Sequence, residues 1–331
     1  MTRPRAGTRL SCLAVLAAAF AVIVGCSSDF APKNQVTGIR ILAARADLPY
    51  ARPGESVRVQ GLVHDGRAAP ASPMRVFWFP APCVDPIAGQ YYACFPLFEA
   101  LYPLGVDLTP SLVEGDEVTI AVPEDALAGS VARPGQGERY ATAFVFMVAC
   151  AGHVERVARR GDLGPNALPV ACFDDAGRRL GADDFVFGFT RVFVFEERRN
   201  AIPELDGVTF EGAPVDPEVG VVTGTCVKDS SGECKTVKLD VRFDDAAAEV
   251  DPDNVDSTGK VGRETIYVDW FTSIGKFQTN RKILFDGNLG RTPKAAIDFS
   301  PPASPGRGTV WAVLHDNRGG TSWLAFPLTI E

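Results

Sequence analysis

No long stretch of this chain carries the 3.6-residue period of an amphipathic helix; the best short candidates are residues 98–102 and 244–250. A helical bundle and a doubly wound α/β fold are excluded on that ground. Catalytic signatures are missing too. There is no Gly-x-Ser-x-Gly elbow and no His-Glu-x-x-His pair, and His64, His153 and His315 stand without a motif around them. No enzyme is expected, and an accessory hydrolase is kept as the alternative because paired carboxylates are a spatial property that sequence does not display. The chain has no Cys-x-x-Cys pair, and of its histidines only His153 lies near a cysteine, Cys150, which argues against a zinc site. Clustered cationic charge is also lacking: Lys and Arg are scattered among acids, so nucleic acid is not an expected partner.

What is present begins with the first 28 residues. Arg3, Arg5 and Arg9 precede an apolar run from Leu13 to Val24, which stops at Ile23-Val24-Gly25-Cys26-Ser27-Ser28. A charged start, an alanine-rich apolar core and small residues at the cut make a secretory signal over residues 1–25. The Ile-Val-Gly-Cys ending resembles the lipobox of bacterial lipoproteins. That resemblance implies that Cys26 receives a diacylglyceryl thioether and becomes the acylated mature N-terminus, with residues 26–35 as a lipidated tether. Two or three acyl chains make such attachment effectively permanent, whereas one holds only marginally. The membrane is therefore an expected partner through the N-terminal lipid, and Ser27, in place of aspartate, favours the outer membrane over the inner. Without residues 1–25 the chain keeps 30 Lys+Arg against 41 Asp+Glu, a net charge of −11.

Cys12 leaves with the signal and Cys26 is lipidated, so six cysteines remain in an oxidising compartment: Cys83, Cys94, Cys150, Cys172, Cys226 and Cys234. Six cysteines allow 15 pairings. These six fall into three consecutive pairs, each flanking a turn-rich segment, and the expected bonds are Cys83 with Cys94, Cys150 with Cys172, and Cys226 with Cys234. Each closed loop contributes about 2 to 3 kcal/mol in the chain-entropy picture.

The 25 prolines and 32 glycines separate aromatic and β-branched runs, the pattern of short strands joined by turns. Period-2 alternation is cleanest at Val237-Lys238-Leu239-Asp240-Val241-Arg242-Phe243, a half-buried antiparallel strand. Segments echo one another in order. Val36-Thr37-Gly38-Ile39 matches Leu205-Asp206-Gly207-Val208, Val76-Phe77-Trp78-Phe79 matches Val268-Asp269-Trp270-Phe271, and the apolar run of residues 140–150 matches residues 309–315. The chain reads as a duplicated module with insertions in the first copy.

A glycine-bearing first strand, Pro-Gly before the second, an aromatic third strand with Trp, and a closing hairpin resemble an immunoglobulin-like sandwich. The whole chain is similar to the tandem immunoglobulin-like surface lipoproteins common in myxobacteria-type predators. The resemblance implies an all-β chain of two immunoglobulin-like β-sandwiches, residues 36–198 and 199–331, after the signal peptide. It departs from antibody domains in lacking a cysteine on either second strand, so Trp78 and Trp270 are expected to be held by aliphatic and Phe packing. A short charged joint near Pro203 predicts a semi-rigid, elongated rod.

Three segments are candidate sites. The segment from Cys83 to Val106 carries Tyr91, Tyr92, Phe95 and Tyr102, rings that could stack on a sugar or anchor a protein of the envelope. The competing reading buries these rings as a satellite cluster over the sandwich. Asp251, Asp253 and Asp256 could offer oxygen ligands to calcium, although Val255 interrupts the ligand pattern; apart from that cation no cofactor is expected. Arg160-Gly161-Asp162 matches an adhesive tripeptide and also reads as a plain basic turn. The function these features support is display of sandwich loops for protein or glycan binding, with a structural spacer as the further alternative.

Overall fold

The computed structural model describes residues 32–85, 89–132, 137–158 and 168–331. The signal segment, Cys26 and the Arg160-Gly161-Asp162 tripeptide lie outside the described residues. In chain order the first half holds β1 (Ile39–Ala46), β2 (Tyr50–Ala51), β3 (Ser56–Asp65), β4 (Arg75–Trp78), β5 (Cys83–Asp85), helix α1 (Phe95–Leu101), β6 (Val113–Glu114), β7 (Glu117–Ala121), β8 (Ala141–Cys150), β9 (His153–Arg156), β10 (Val170–Phe173) and β11 (Phe185–Val194). The second half holds β12 (Gly207–Phe210), β13 (Ala213–Pro214), β14 (Val221–Thr223), β15 (Val237–Arg242), β16 (Val250–Val255), β17 (Val261–Arg263), β18 (Ile266–Thr272), β19 (Lys276–Phe277), β20 (Arg281–Asp286), β21 (Gly290–Arg291), β22 (Ile297–Ser300), β23 (Gly306–His315) and β24 (Thr321–Ile330).

Each half is a sandwich of two sheets. The first stacks β1-β3-β7 on β2-β11-β8-β4-β6; the second stacks β13-β12-β15-β22-β19 on β14-β24-β23-β18-β20-β21. In both, a short strand split from the first strand crosses to the other sheet and runs parallel to the last one, β2 along β11 and β14 along β24. That switch, with the order last-penultimate-third in the second sheet, is immunoglobulin-like topology. The sequence echoes fall on equivalent strands. Trp78 of β4 pairs Met147 of β8, and Trp270 of β18 pairs Ala312 of β23.

Alternation and its absence both have causes here. On β7 the burial pattern is strictly alternating, because one face meets the core and the other water. On β8 all ten residues are buried. Ala143, Val145 and Met147 face the core between the sheets, while Phe144, Phe146 and Val148 face a second cluster built from Phe79, Phe95, Phe98 and Leu108 of the insert. A strand covered on both faces needs no polar residue, which is why residues 143–149 read as one continuous apolar run.

The expected rod is not what forms. Lys33–Glu331 make one compact unit, and the sandwiches meet side by side through Val36, Leu42 and Trp311, with Leu62 and Phe271 against them. The lead-in residues stitch the seam: Val36 N donates to the Thr272 carbonyl at 2.8 Å, and Asn34 Nδ2 donates to the carbonyls of Phe277 and Thr279 at 3.1 Å each. Arg45 lies over the Trp323 ring at 4.4 Å. Joint length alone predicted the rod; the apolar outer faces of β1, β3, β18 and β23 decide against it, since leaving them in water costs more than docking them.

Both indoles are fully buried. Trp270→Ala in the mature chain should cost about 3 to 5 kcal/mol, read from the urea midpoint; a shift worth less than about 1 kcal/mol would place the ring at the surface. Phenylalanine separates the two sites. Trp78 Nε1 donates to the Gly115 carbonyl at 2.9 Å, whereas Trp270 Nε1 has no partner among the described residues. Trp78→Phe should therefore destabilise by about 1 kcal/mol more than Trp270→Phe.

Candidate functional site

The three expected disulfides are all present, with Cα–Cα separations of 5.8 Å for Cys83–Cys94, 5.8 Å for Cys150–Cys172 and 5.2 Å for Cys226–Cys234. The first clips the insert at its root. From there a 3-10 turn (Tyr91–Cys94) leads into α1, whose Pro96 occupies the first helical turn, where a missing N–H is harmless.

The insert divides its residues by kind. Phe95 is fully buried and Phe98 nearly so. Tyr91 stacks on Phe189 with ring centroids 4.4 Å apart, and Tyr102 sits edge-on to Phe79 at 5.4 Å. Phe95 is thus corrected from a contact residue to a core residue, and Tyr91 and Tyr102 are largely spent on packing, the satellite-cluster reading. Of the four named rings, Tyr92 alone stands out, 40% exposed. Beside it the insert exposes aliphatics that the sequence reading did not single out: Leu97, Leu101, Leu104 and Val106 are each between 44% and 55% exposed. The signal was available at helical spacing, since Phe95 and Phe98 mark one face of α1 and Leu97 and Leu101 the other. Tyr91→Ala should cost about 1 to 2 kcal/mol in a thermal or urea melt and Tyr92→Ala under about 0.5; equal costs would mean that both rings pack alike.

The acidic residues offered for calcium are not brought together. Asp251 is buried and accepts from the backbone N–H of Asp253 and from Asn317 Nδ2, Asp253 pairs with Arg198 at 2.8 Å, and Asp256 closes its own turn by accepting from Thr258 and Lys260. Among the described residues no group of three His, Cys, Asp or Glu side chains could hold a metal ion. The calcium reading is corrected accordingly, because each carboxylate already has a different partner.

The densest buried polar cluster lies instead at the seam, on the turn between β23 and β24. Arg318, only 7% exposed, donates from Nε to the Tyr50 hydroxyl at 3.2 Å, from Nη1 to the Val250 carbonyl at 3.3 Å and from Nη2 to the Arg199 carbonyl at 3.0 Å. One guanidinium therefore ties the first sandwich, the joint and the second sandwich. Asp316 shapes the turn by accepting from the N–H groups of Arg318 and Gly320 and from Asn200 Nδ2. Gly320 must be glycine: a Cβ there would fall 2.2 Å from the Asp316 carboxylate. Asp316-Asn317-Arg318-Gly319-Gly320 is turn-forming by composition, but nothing local could say that its arginine reaches three segments far away in sequence.

Glu264 is wholly buried beside this cluster. Its Oε1 lies 3.0 Å from Arg318 Nη1 yet is not aligned for a hydrogen bond. Burial, reinforced by the neighbouring Asp316 charge, pushes its carboxyl up to about 8 against the opposing pull of Arg318. Burial likewise drives His315 down to about 4, opposed by Asp269. His315 stacks on Tyr267 at 4.9 Å, with Nδ1 3.1 Å from Thr321 Oγ1 and Nε2 3.6 Å from Asp269. The last distance is too long for a hydrogen bond. Asp269 is clamped in bidentate fashion by Arg281 at 2.7 Å, and Thr321 is buried and paired within the β23–β24 hairpin. A neutral imidazole so placed supports a fold more readily than it activates a hydroxyl.

These shifts set a pH profile. Folded Glu264 holds its proton up to about pH 8 and the unfolded residue only to about 4.5, so its contribution is lost as pH rises through that window. His315 acts oppositely, staying neutral in the fold down to about pH 4 while the unfolded residue protonates below about 6.5. The two cancel between about 4.5 and 6.5; above that Glu264 acts alone, and stability should fall by roughly 2 kcal/mol by pH 8. Glu264→Gln should abolish that fall, as followed by denaturation midpoints across the range; an unchanged slope would mean that Glu264 is ionised in the fold.

No protein-family model and no curated protein sequence matches the chain. Among solved structures, Escherichia coli alpha-2-macroglobulin activated by porcine elastase is similar over 91% of this chain and 22% of that one, at 10% identity and a TM-score of 0.22. Murine CEACAM1b is similar over 87% of this chain and 100% of that one, at 11% identity and 0.20. Sidekick-1 immunoglobulin domains 1–5 give 90%, 60%, 12% and 0.15 in the same order. The chain thus spans about a fifth of the macroglobulin's length. TM-scores of this size carry no argument about what the chain binds or does.

Proposed function

We propose that this chain is a non-enzymatic, lipid-anchored protein of the cell envelope, of the tandem immunoglobulin-like lipoprotein kind, that docks a protein partner through the clipped insert of its first sandwich. Acyl chains on Cys26 hold it to a membrane, the outer in preference to the inner. The observation that carries the docking is the division within the insert. Of the rings suited to stacking on sugars all but Tyr92 are committed to packing, while Leu97, Leu101, Leu104 and Val106 are left in water on a segment braced by the Cys83–Cys94 bond. Exposed aliphatic surface on a braced support fits a protein surface better than a glycan, whose hydroxyls need polar partners.

Two variants test the reading. Cys26→Ser should move the protein from the detergent phase to the aqueous phase in a detergent-partition assay; wild-type partitioning would sink the anchor. Leu97→Ser combined with Leu101→Ser should remove a protein that crosslinks to the wild type in envelope preparations, with the melting temperature held. Undiminished crosslinking by the double variant would remove the insert from recognition.

A further inference from the structure

A groove of about 460 Å³ opens between the two sandwiches, and seven of its eleven lining residues carry polar side chains. Most of that polarity is already spent. Asp316 accepts three hydrogen bonds, Asn317 accepts from the Thr265 N–H and donates to Asp251, and His315 holds Thr321. Besides the small Thr190 hydroxyl, two groups have no hydrogen-bond partner among the described residues. Arg191, from β11 of the first sandwich, has no carboxylate partner among the described residues, and its guanidinium sits 5.9 Å from the Phe193 ring centroid. Tyr267, from β18 of the second, makes no hydrogen bond through its hydroxyl among the described residues. Its ring is fixed, with His315 stacked on it and Arg281 over it at 4.3 Å, so that the hydroxyl is presented by a rigid mount.

We infer that this groove binds an acidic monosaccharide unit, a pyranose ring bearing one carboxylate. An unpaired guanidinium and a free phenol are both donors, and a carboxylate is the acceptor that takes two donors from different directions. The volume lies within the range of small-ligand sites and exceeds what a bare carboxylate would fill. The mostly polar lining suits a hydroxyl-bearing ring over an aromatic acid. The local acids do not repel such an anion: Asp269 is neutralised by Arg281, and Asp316 is buried under its three donors. Because the two donors come from different sandwiches, the site exists only where the seam is closed. It is separate from the insert and does not depend on protein docking there.

The test uses the mature chain and three probes, sodium D-glucuronate, D-glucose and sodium benzoate, in calorimetric or NMR titration. Glucuronate should saturate in the low millimolar range or below, with glucose and benzoate at least about tenfold weaker. Arg191→Gln should weaken glucuronate about tenfold or more, Arg191→Lys should restore part of the loss, and Tyr267→Phe should weaken it several-fold, all without a shift in melting temperature. Equal binding of glucose would overturn the role of the carboxylate, and equal binding of benzoate that of the hydroxyls. Indifference to Arg191→Gln, or no saturation by glucuronate at about 50 mM, would overturn the site itself.

Discussion

Everything in the first sandwich depends on β8 being buried on both faces. One face closes the core between the sheets, as the penultimate strand of such a sandwich must. The other presents Phe144, Phe146 and Val148, and three side chains of that size cannot stay in water on a stable surface. Something must lie over them. The segment between β4 and β6 does so, and from this follow its composition, its disulfide and its inward rings. The Cys150–Cys172 bond secures the β9–β10 hairpin at the same margin, with Val154, Val170 and Cys172 completing the cover. The insert is therefore a structural layer first, and its outer aliphatics are displayed because its inner aromatics are anchored.

The second constraint acts at the seam, where apolar and ionic contacts divide the labour. Val36, Leu42 and Trp311 supply non-directional burial that would tolerate sliding. Arg318 supplies direction: its donors reach Tyr50, Val250 and Arg199, and each accepts in only one relative placement of the sandwiches. A buried polar cluster of this kind contributes less to stability than its hydrogen bonds imply, because desolvation offsets much of the gain. What it adds is uniqueness of geometry.

How much of this was legible in sequence depends on the range of the interaction. The all-β class, the two copies and the three disulfides follow from alternation, ordered echoes and near-neighbour cysteines, all local or repeated signals. The indole cores followed as well, since a Trp flanked by alternating apolar residues has one face to go to. Phe95 misled because a ring on a proline-rich segment looks the same in sequence whether the segment stands off the sheet or lies down on it. The choice is made by β8, some fifty residues later. Asp251, Asp253 and Asp256 misled for a related reason: spacing shows that carboxylates are near in sequence, not that Arg198, Asn317 and a turn have already claimed them. Arg318 and Glu264 were invisible because their partners come from Tyr50, the joint and a hairpin, with no pattern connecting them.

The lateral docking has a consequence for recognition that a rod would not have. In an end-to-end tandem, binding surfaces are confined to loop ends and each domain offers its own. Here β11 and β18 come from different sandwiches and face one groove, so unspent donors on two independent frameworks are held at a fixed separation by the seam. Rigid strands position such groups better than loops do, and the loss of freedom on binding is correspondingly smaller. The insert and the groove therefore draw on the same economy: each presents its unspent groups from residues whose neighbours are fully committed to the fold. Where the fold is satisfied, as at Asp316 or Phe95, no contact is left to offer; where it is not, as at Leu101 or Arg191, the surface retains a capacity that only a partner can fill.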